Sequence, residues 1–214
     1  MTVLIIFVKY PQPGKVKTRL GATIGMELAA EFYRVFVEQT FQLAKRCSFD
    51  AIFVAFEPAE RETEILAMIP AGLKCFPQKG AHLGQRLEHA FTSAFSNGAA
   101  HVIAIGSDSP TLPAQHVAEA RAKLRTHDLV LGPAEDGGYY LIGLNQVQSP
   151  LFQDIPWSSD SVLESTVAAA NRLELSCFLL EKWYDVDDLT TLRRAAKDDR
   201  SGRIASLLHK GVEP

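Results

Sequence analysis

The chain has 214 residues, a formal charge of −3, 47% hydrophobic and 22% charged residues, a composition that supports a sizeable core and excludes a disordered chain. Acids and bases are mixed, so no bulk basic field is available to attract nucleic acid, and no nucleic-acid partner is expected. Cys47, Cys75 and Cys177 are scattered with no Cys-x-x-Cys pair, which excludes a disulfide framework and a zinc site and points to reduced thiols in the cytoplasm.

Val3 to Val8 is a continuous β-rich apolar run. It is too short to span a membrane and lacks the basic region and cleavage site of a signal peptide, so it is read as the first strand. It breaks at Lys9-Tyr10-Pro11-Gln12-Pro13-Gly14, and a Gly/Pro-punctuated basic loop continues to Leu20. From Gly25, the spacing of Leu28, Ala29, Phe32, Phe36, Thr40 and Leu43 predicts an amphipathic helix. Ile52 to Phe56 reads as a second strand, Glu60 to Met68 as a short helix and Leu73 to Phe76 as a third strand. Leu83, Leu87, Ala90, Phe91, Ala94 and Phe95 mark the next helix, closed by Asn97-Gly98.

The run Val102 to Ile105 reads as a strand buried on both faces, ending abruptly at Gly106-Ser107-Asp108. A helix from Ala114 to Leu124 follows, then close strands at Leu129 to Leu131 and Gly138 to Leu144. The last third holds an apolar segment, Ser149 to Trp157, whose stretch Leu151 to Trp157 reads as a lid, an interface or core packing, the last two favoured, then a helix near Ser161 to Arg172 and a strand from Cys177 to Leu180. This alternation predicts one domain over residues 1–214, a three-layer α/β/α sandwich with a mainly parallel sheet. The close strand pair around Gly132 to Gly137 hints at one departure from strict alternation.

Ligands of open α/β sheets bind beyond the carboxyl ends of the strands, and Asp108 sits there. An Asp-Ser-Pro turn can also serve only its own backbone, so the neighbours decide. Lys9, Lys15, Lys17 and Arg19 crowd the loop after the first strand, suited to a polyphosphate; Gly14 gives that loop its turn. No Walker A loop and no Gly-x-Gly-x-x-Gly is present. Asp185-Val186-Asp187-Asp188 places three carboxylates in four residues, a pattern open to a hard divalent cation or to a helix cap, with Asp188 the residue read as the cap. Glu135 and Asp136 precede Gly137-Gly138, which reads equally as a hairpin turn or as acids beside a ligand. Gln78, Gly80, Gly84 and Arg86 form a fourth cluster, where the glycines leave room for a base or sugar and Arg86 can reach phosphate, or where they simply punctuate a helix start. The six histidines show no metal-ligand spacing.

Taken in order, F-x-K-x-P-x-P-G-x-x-K-T-R-L from Phe7, G-S-D-S-P from Gly106, E-D-G-G-Y-Y-L-I-G from Glu135 and D-V-D from Asp185 resemble a bacterial glycosyltransferase-like family. That family has long been catalogued as a domain of unknown function, is associated with radical-SAM proteins, and has the nucleotide-diphospho-sugar transferase (GT-A) fold. The resemblance implies that Asp108 holds Mg²⁺ or Mn²⁺ on a diphosphate, that Asp187 or Asp185 supplies the second carboxylate, and that Lys17 and Arg19 bind phosphate. Gly106 stands where many sugar transferases of this fold carry the first aspartate of an Asp-x-Asp pair.

The function expected is transfer from a nucleotide-sugar to a small-molecule acceptor, with Asp136 or Glu135 as base and Lys9, Gly14, Lys17, Arg19, Gln78, Gly80, Gly84 and Arg86 around the nucleotide. Nucleotidyl transfer from a nucleoside triphosphate to a phosphorylated acceptor is the alternative, and a nucleotide-binding domain without turnover the third reading.

Overall fold

The structure, a computed structural model, describes residues 1–212. Strands β1 (Thr2–Lys9), β2 (Ala51–Glu57), β3 (Lys74–Pro77), β4 (His101–Ile105), β5 (Leu129–Pro133), β6 (Tyr139–Leu144) and β7 (Cys177–Leu179) form one sheet in the order β3-β2-β1-β4-β6-β5-β7. Neighbours are parallel except β6, which runs antiparallel to both β4 and β5. The departure hinted at by the sequence is this β5–β6 hairpin, and the strand that ends before Asp108 is the middle one.

Helices α1 (Thr18–Ile24), α2 (Met26–Arg46), α3 (Glu62–Met68), α4 (Leu83–Ser96), α5 (Ala114–Lys123), α6 (Val162–Arg172), α7 (Leu189–Asp198) and α8 (Arg203–Gly211) cover both faces. Side chains alternate across a strand, and the apolar run of β1 therefore feeds two cores. Leu4, Ile6 and Val8 pack with Phe32 and Phe36 of α2, Val117 of α5 and Leu192 of α7, while Val3 and Ile5 pack with Leu87 and Phe91 of α4 and Ala169 and Ala170 of α6. Leu4, Ile5 and Ile6 are fully buried, each contributing roughly 1.5–3 kcal/mol relative to exposure. The result is a three-layer α/β/α sandwich with a mainly parallel, mixed sheet. Among the described residues no helix is long and apolar enough to cross a membrane.

Two helices differ from the sequence reading. The basic loop was expected to run to Leu20, but Lys17 turns into the left-handed region (φ 47°, ψ 45°) and α1 begins at Thr18. The helix α8, which starts after Gly202, was not foreseen at all. Leu151, Phe152 and Ile155 join the second core, so the apolar segment after Ser149 is packing. Asp188 caps α7 as expected, its carboxylate accepting the Thr191 amide in a reciprocal capping box.

Candidate active site

The site is built on the carboxyl ends of the two central parallel strands, β1 and β4, which pair through Ile6 and Ile105. Tyr33 of α2 reaches up between them: its hydroxyl accepts the Lys9 amide at 3.0 Å and bonds Ser107 Oγ at 2.7 Å, and Ser107 donates to the Phe7 carbonyl at 3.1 Å. Burial, then the charge of Asp108, pushes the Tyr33 phenol well above its ordinary range, so it remains a neutral strut. The loops after both strands are thereby fixed from below.

The late acidic segment arrives from the other side. Beyond β7 the chain follows β5, the Leu180 amide donating to Leu131 O at 2.9 Å and the Trp183 amide to Pro133 O at 3.0 Å. It then crosses to the loop after β4, where the Val186 amide donates to Asp108 O at 2.9 Å. Ser109 Oγ donates to Asp185 Oδ1. Two motifs far apart in the chain become one acidic cluster.

Lys17 completes it. Its side chain is only 4% exposed, and its ammonium contacts Oδ1 of Asp108 and, at 3.1 Å, Oδ1 of Asp187. Burial opposes the lysine charge, but Asp108 and then Asp187 outweigh it and hold the ammonium protonated above the usual lysine range. Enclosure at the cleft floor likewise opposes the Asp108 carboxylate, although half of its side chain faces the cleft, and Lys17 outweighs it, keeping that carboxyl below the ordinary range. Asp185 goes the other way: burial, reinforced by the charge of Asp108, pushes it up to about 7 despite the Ser109 hydroxyl.

Around this centre lies a cleft of about 920 Å³, lined by Lys9, Lys17, Arg19, Gln78, Arg86, Asp108, Asp136, Asp185 and Asp187 among the residues singled out in the sequence. Its wall over β2 and β3 is basic and tightly bonded. Glu57 is held by Arg86 and, at 3.3 Å, by Lys9, while Gln78 Nε2 donates to Ala55 O at 3.0 Å. The opposite wall carries Asp136 on the β5–β6 hairpin, Tyr139, and Asp160 before α6. Trp157 closes the rim, stacked on His82 at 6.3 Å.

Four predicted residues stand outside the lining. Gly14 takes a positive φ of 73° in an exposed turn, and Gly80 packs on the backbone of Gln85 and Arg86. The room left by Gly84 is taken by the indole of Trp157, 2.6 Å from where a Cβ would stand. Glu135 accepts from Arg194 at 2.8 Å, leaving Asp136 as the hairpin acid that faces the cleft. The sequence reading gave no site role to Glu57, Ser109, Tyr33 or Trp157, although Ser109 lies in the G-S-D-S-P motif and Trp157 ends the apolar segment. Glu57 ends a strand at the ligand edge, and Ser109 follows Asp108 directly, so both carried a positional signal; Tyr33 and Trp157 carried none.

Among the described residues no three His, Cys, Asp or Glu side chains are grouped to hold a metal ion by themselves. Asp108 and Asp187 nevertheless converge on one cation, with 49% and 40% of their side chains exposed. Magnesium-type sites are commonly made from one or two carboxylates completed by substrate phosphates and water. The pair fits a hard divalent ion that arrives with a polyphosphate.

Residues 40–159, more than half of the chain, match the sequence profile of a family described as "Uncharacterized protein conserved in bacteria (DUF2064)". The chain belongs to this family. A crystal structure from Desulfovibrio desulfuricans G20, provisionally named a nucleotide-diphospho-sugar transferase, is similar to this DUF2064 member over 98% of this chain and 94% of its own, with 35% identity and a TM-score of 0.90. More distant likenesses, which concern the fold alone, include CMP:2-keto-3-deoxy-manno-octonic acid synthetase complexed with CTP, at 13% identity, 92% and 97% coverage and a TM-score of 0.60. The Rv0371c protein of Mycobacterium tuberculosis H37Rv in complex with manganese is similar at 11% identity, 92% and 99% coverage and a TM-score of 0.58. A search of curated proteins returned no match. The fold is that of the nucleotide-diphospho-sugar transferases.

Proposed function

We propose that this chain, acting as one catalytic domain, transfers a sugar from a nucleotide-sugar to the hydroxyl of a small-molecule acceptor. The observation that carries the reading is the convergence of Lys17, Asp108 and Asp187 at the carboxyl edge of the central strands. Lys17 and Arg19 supply cations to a diphosphate at the cleft centre, and Asp108 with Asp187 would hold Mg²⁺ or Mn²⁺ there. When bound, the metal neutralises diphosphate charge and favours its departure. The acceptor hydroxyl attacks the anomeric carbon as the bond to the diphosphate breaks, Asp136 takes the hydroxyl proton, and Lys17 and Arg19 hold the departing nucleoside diphosphate. The name of the Desulfovibrio relative and the manganese in one fold neighbour support this reading, whereas the CTP in another fold neighbour is a triphosphate and supports the second reading below.

Nucleotidyl transfer is the second reading, favoured by the further cations in the cleft lining, Lys9, Lys15 and Arg86, which suit a triphosphate even with Glu57 paired to two of them. It requires a phosphorylated acceptor beside Asp136 and Asp160, and two acids disfavour an incoming phosphate. For that reason sugar transfer is the reading proposed first.

A thermal-shift screen against nucleotide-sugars and nucleoside triphosphates, with and without Mn²⁺, tests the choice. Ligand at about a hundredfold over its dissociation constant adds about 2.7 kcal/mol of stability. A Mn²⁺-dependent shift with a nucleotide-sugar, lost in Asp108→Ala, is expected; a shift only with a triphosphate favours nucleotidyl transfer, and none with either overturns both. Binding without turnover marks a nucleotide-binding domain.

A further inference from the structure

Lys17 stands at the point that two metal-type carboxylates share. Its ammonium touches Oδ1 of both Asp108 and Asp187, although those carboxylates are half exposed to the cleft and the lysine itself is buried. A buried cation cannot simply be withdrawn, because charge left without a partner in a protein interior is strongly unfavourable. A divalent ion that takes up Asp108 and Asp187 must therefore find Lys17 another anion. A nucleotide diphosphate beside Thr18 and Arg19, on the same cleft wall, supplies one.

We propose that Lys17 is an internal stand-in for the divalent cation: it occupies the carboxylate pair when the cleft is free and passes to the diphosphate when metal and nucleotide bind together. This deepens the nucleotide-transfer reading and rests on it. The left-handed backbone of Lys17, at the residue before α1, puts its side chain at the start of the helix rather than inside it. Metal and diphosphate then bind with positive coupling, each raising the affinity of the other by the same factor. Metal alone binds weakly, which protects the site from a cation without its substrate.

Titration calorimetry on the full chain with Mn²⁺ alone, and with the preformed Mn²⁺–pyrophosphate complex, tests this without any assay of turnover. Lys17→Gln is expected to bind Mn²⁺ alone at least about tenfold more tightly than the wild type, because the carboxylate pair loses its resident cation, and to bind Mn²⁺–pyrophosphate at least about tenfold more weakly. A lysine that merely keeps the two carboxylates in place would make both affinities fall. Lys17→Gln folded by its unfolding midpoint yet binding Mn²⁺ no more tightly overturns the stand-in role and leaves the nucleotide reading intact. The wild type gives a reading that needs no variant: uptake of Mn²⁺ alone as tight as uptake of the complex overturns the proposal. Failure of the complex to bind either protein overturns the proposal and the nucleotide reading together.

Discussion

The Val186 amide hydrogen-bonds the Asp108 carbonyl at 2.9 Å, so the late acidic segment hangs from the loop that follows the central strand. Backbone, not side chain, sets the spacing of Asp185 and Asp187 from Asp108. Asp108→Asn keeps that backbone contact and removes the carboxylate charge that faces Lys17. It is expected to abolish the Mn²⁺-dependent nucleotide shift and to lower stability by about 1–3 kcal/mol, since Lys17 keeps Asp187 as a partner. Urea unfolding of the two proteins, with and without Mn²⁺ and nucleotide-sugar, reads both effects.

Tyr33→Phe tests the strut beneath the site. Its phenol sits 2% exposed and serves the Lys9 amide and Ser107 at once. Removing the hydroxyl takes the acceptor from the part-buried Lys9 amide and a partner from buried Ser107, and costs roughly 1–3 kcal/mol by urea denaturation. An unchanged midpoint would show that the two strand ends hold together without it.

The hairpin wall depends on Gly137. It adopts φ 90°, and a Cβ added there would lie 1.9 Å from the Asp160 carbonyl oxygen. Gly137→Ala therefore combines an unfavourable backbone with a backbone clash, and a loss of at least about 2 kcal/mol in thermal unfolding is expected. The same change moves Asp136 and Asp160 apart, so catalytic rate should fall further than nucleotide affinity.

The contact between β5 and β7 predicts a pH dependence. Asp128 accepts from the Ser176 hydroxyl at 2.6 Å, the Ser176 amide at 2.9 Å and Asn145 at 3.1 Å. The Ser176 bonds, foremost, hold its carboxyl below the ordinary range. A carboxyl depressed in the folded state contributes stability that is present above its unfolded value of about 3.9 and is lost as pH falls through the folded value. Wild type should exceed Asp128→Asn in urea midpoint at pH 7, with the gap closing below about pH 4; a gap constant with pH would sink the assignment.

Much of this was legible because it is local. Apolar runs without polar alternation marked the central strands, Asp188 announced a cap, and Asn97-Gly98 a helix end. The same local reading placed Asp108 at the ligand edge. It failed where a single torsion decides the outcome, as at Lys17, where the basic loop becomes a helix one residue later. It failed again where partners are distant: nothing near Glu135 in the sequence shows that Arg194 draws it off, or that the indole of Trp157 fills the space above Gly84. Full strand order is equally non-local, although the unbroken apolar run of β4 already marked it as a central strand, which it is.

Lys17 and Asp187 are separated by 170 residues. Each doubling of a closed loop costs about 0.6 kcal/mol of chain entropy, so this ion pair closes a far costlier loop than the β5–β6 hairpin, whose strands are joined by a few residues. A chain cut before Val186 would lose Asp187 and the Val186 amide that ties the late segment to Asp108, leaving Lys17 with one of its two contacting carboxylates. The two ends of the chain therefore meet at the site, and neither end supplies it alone.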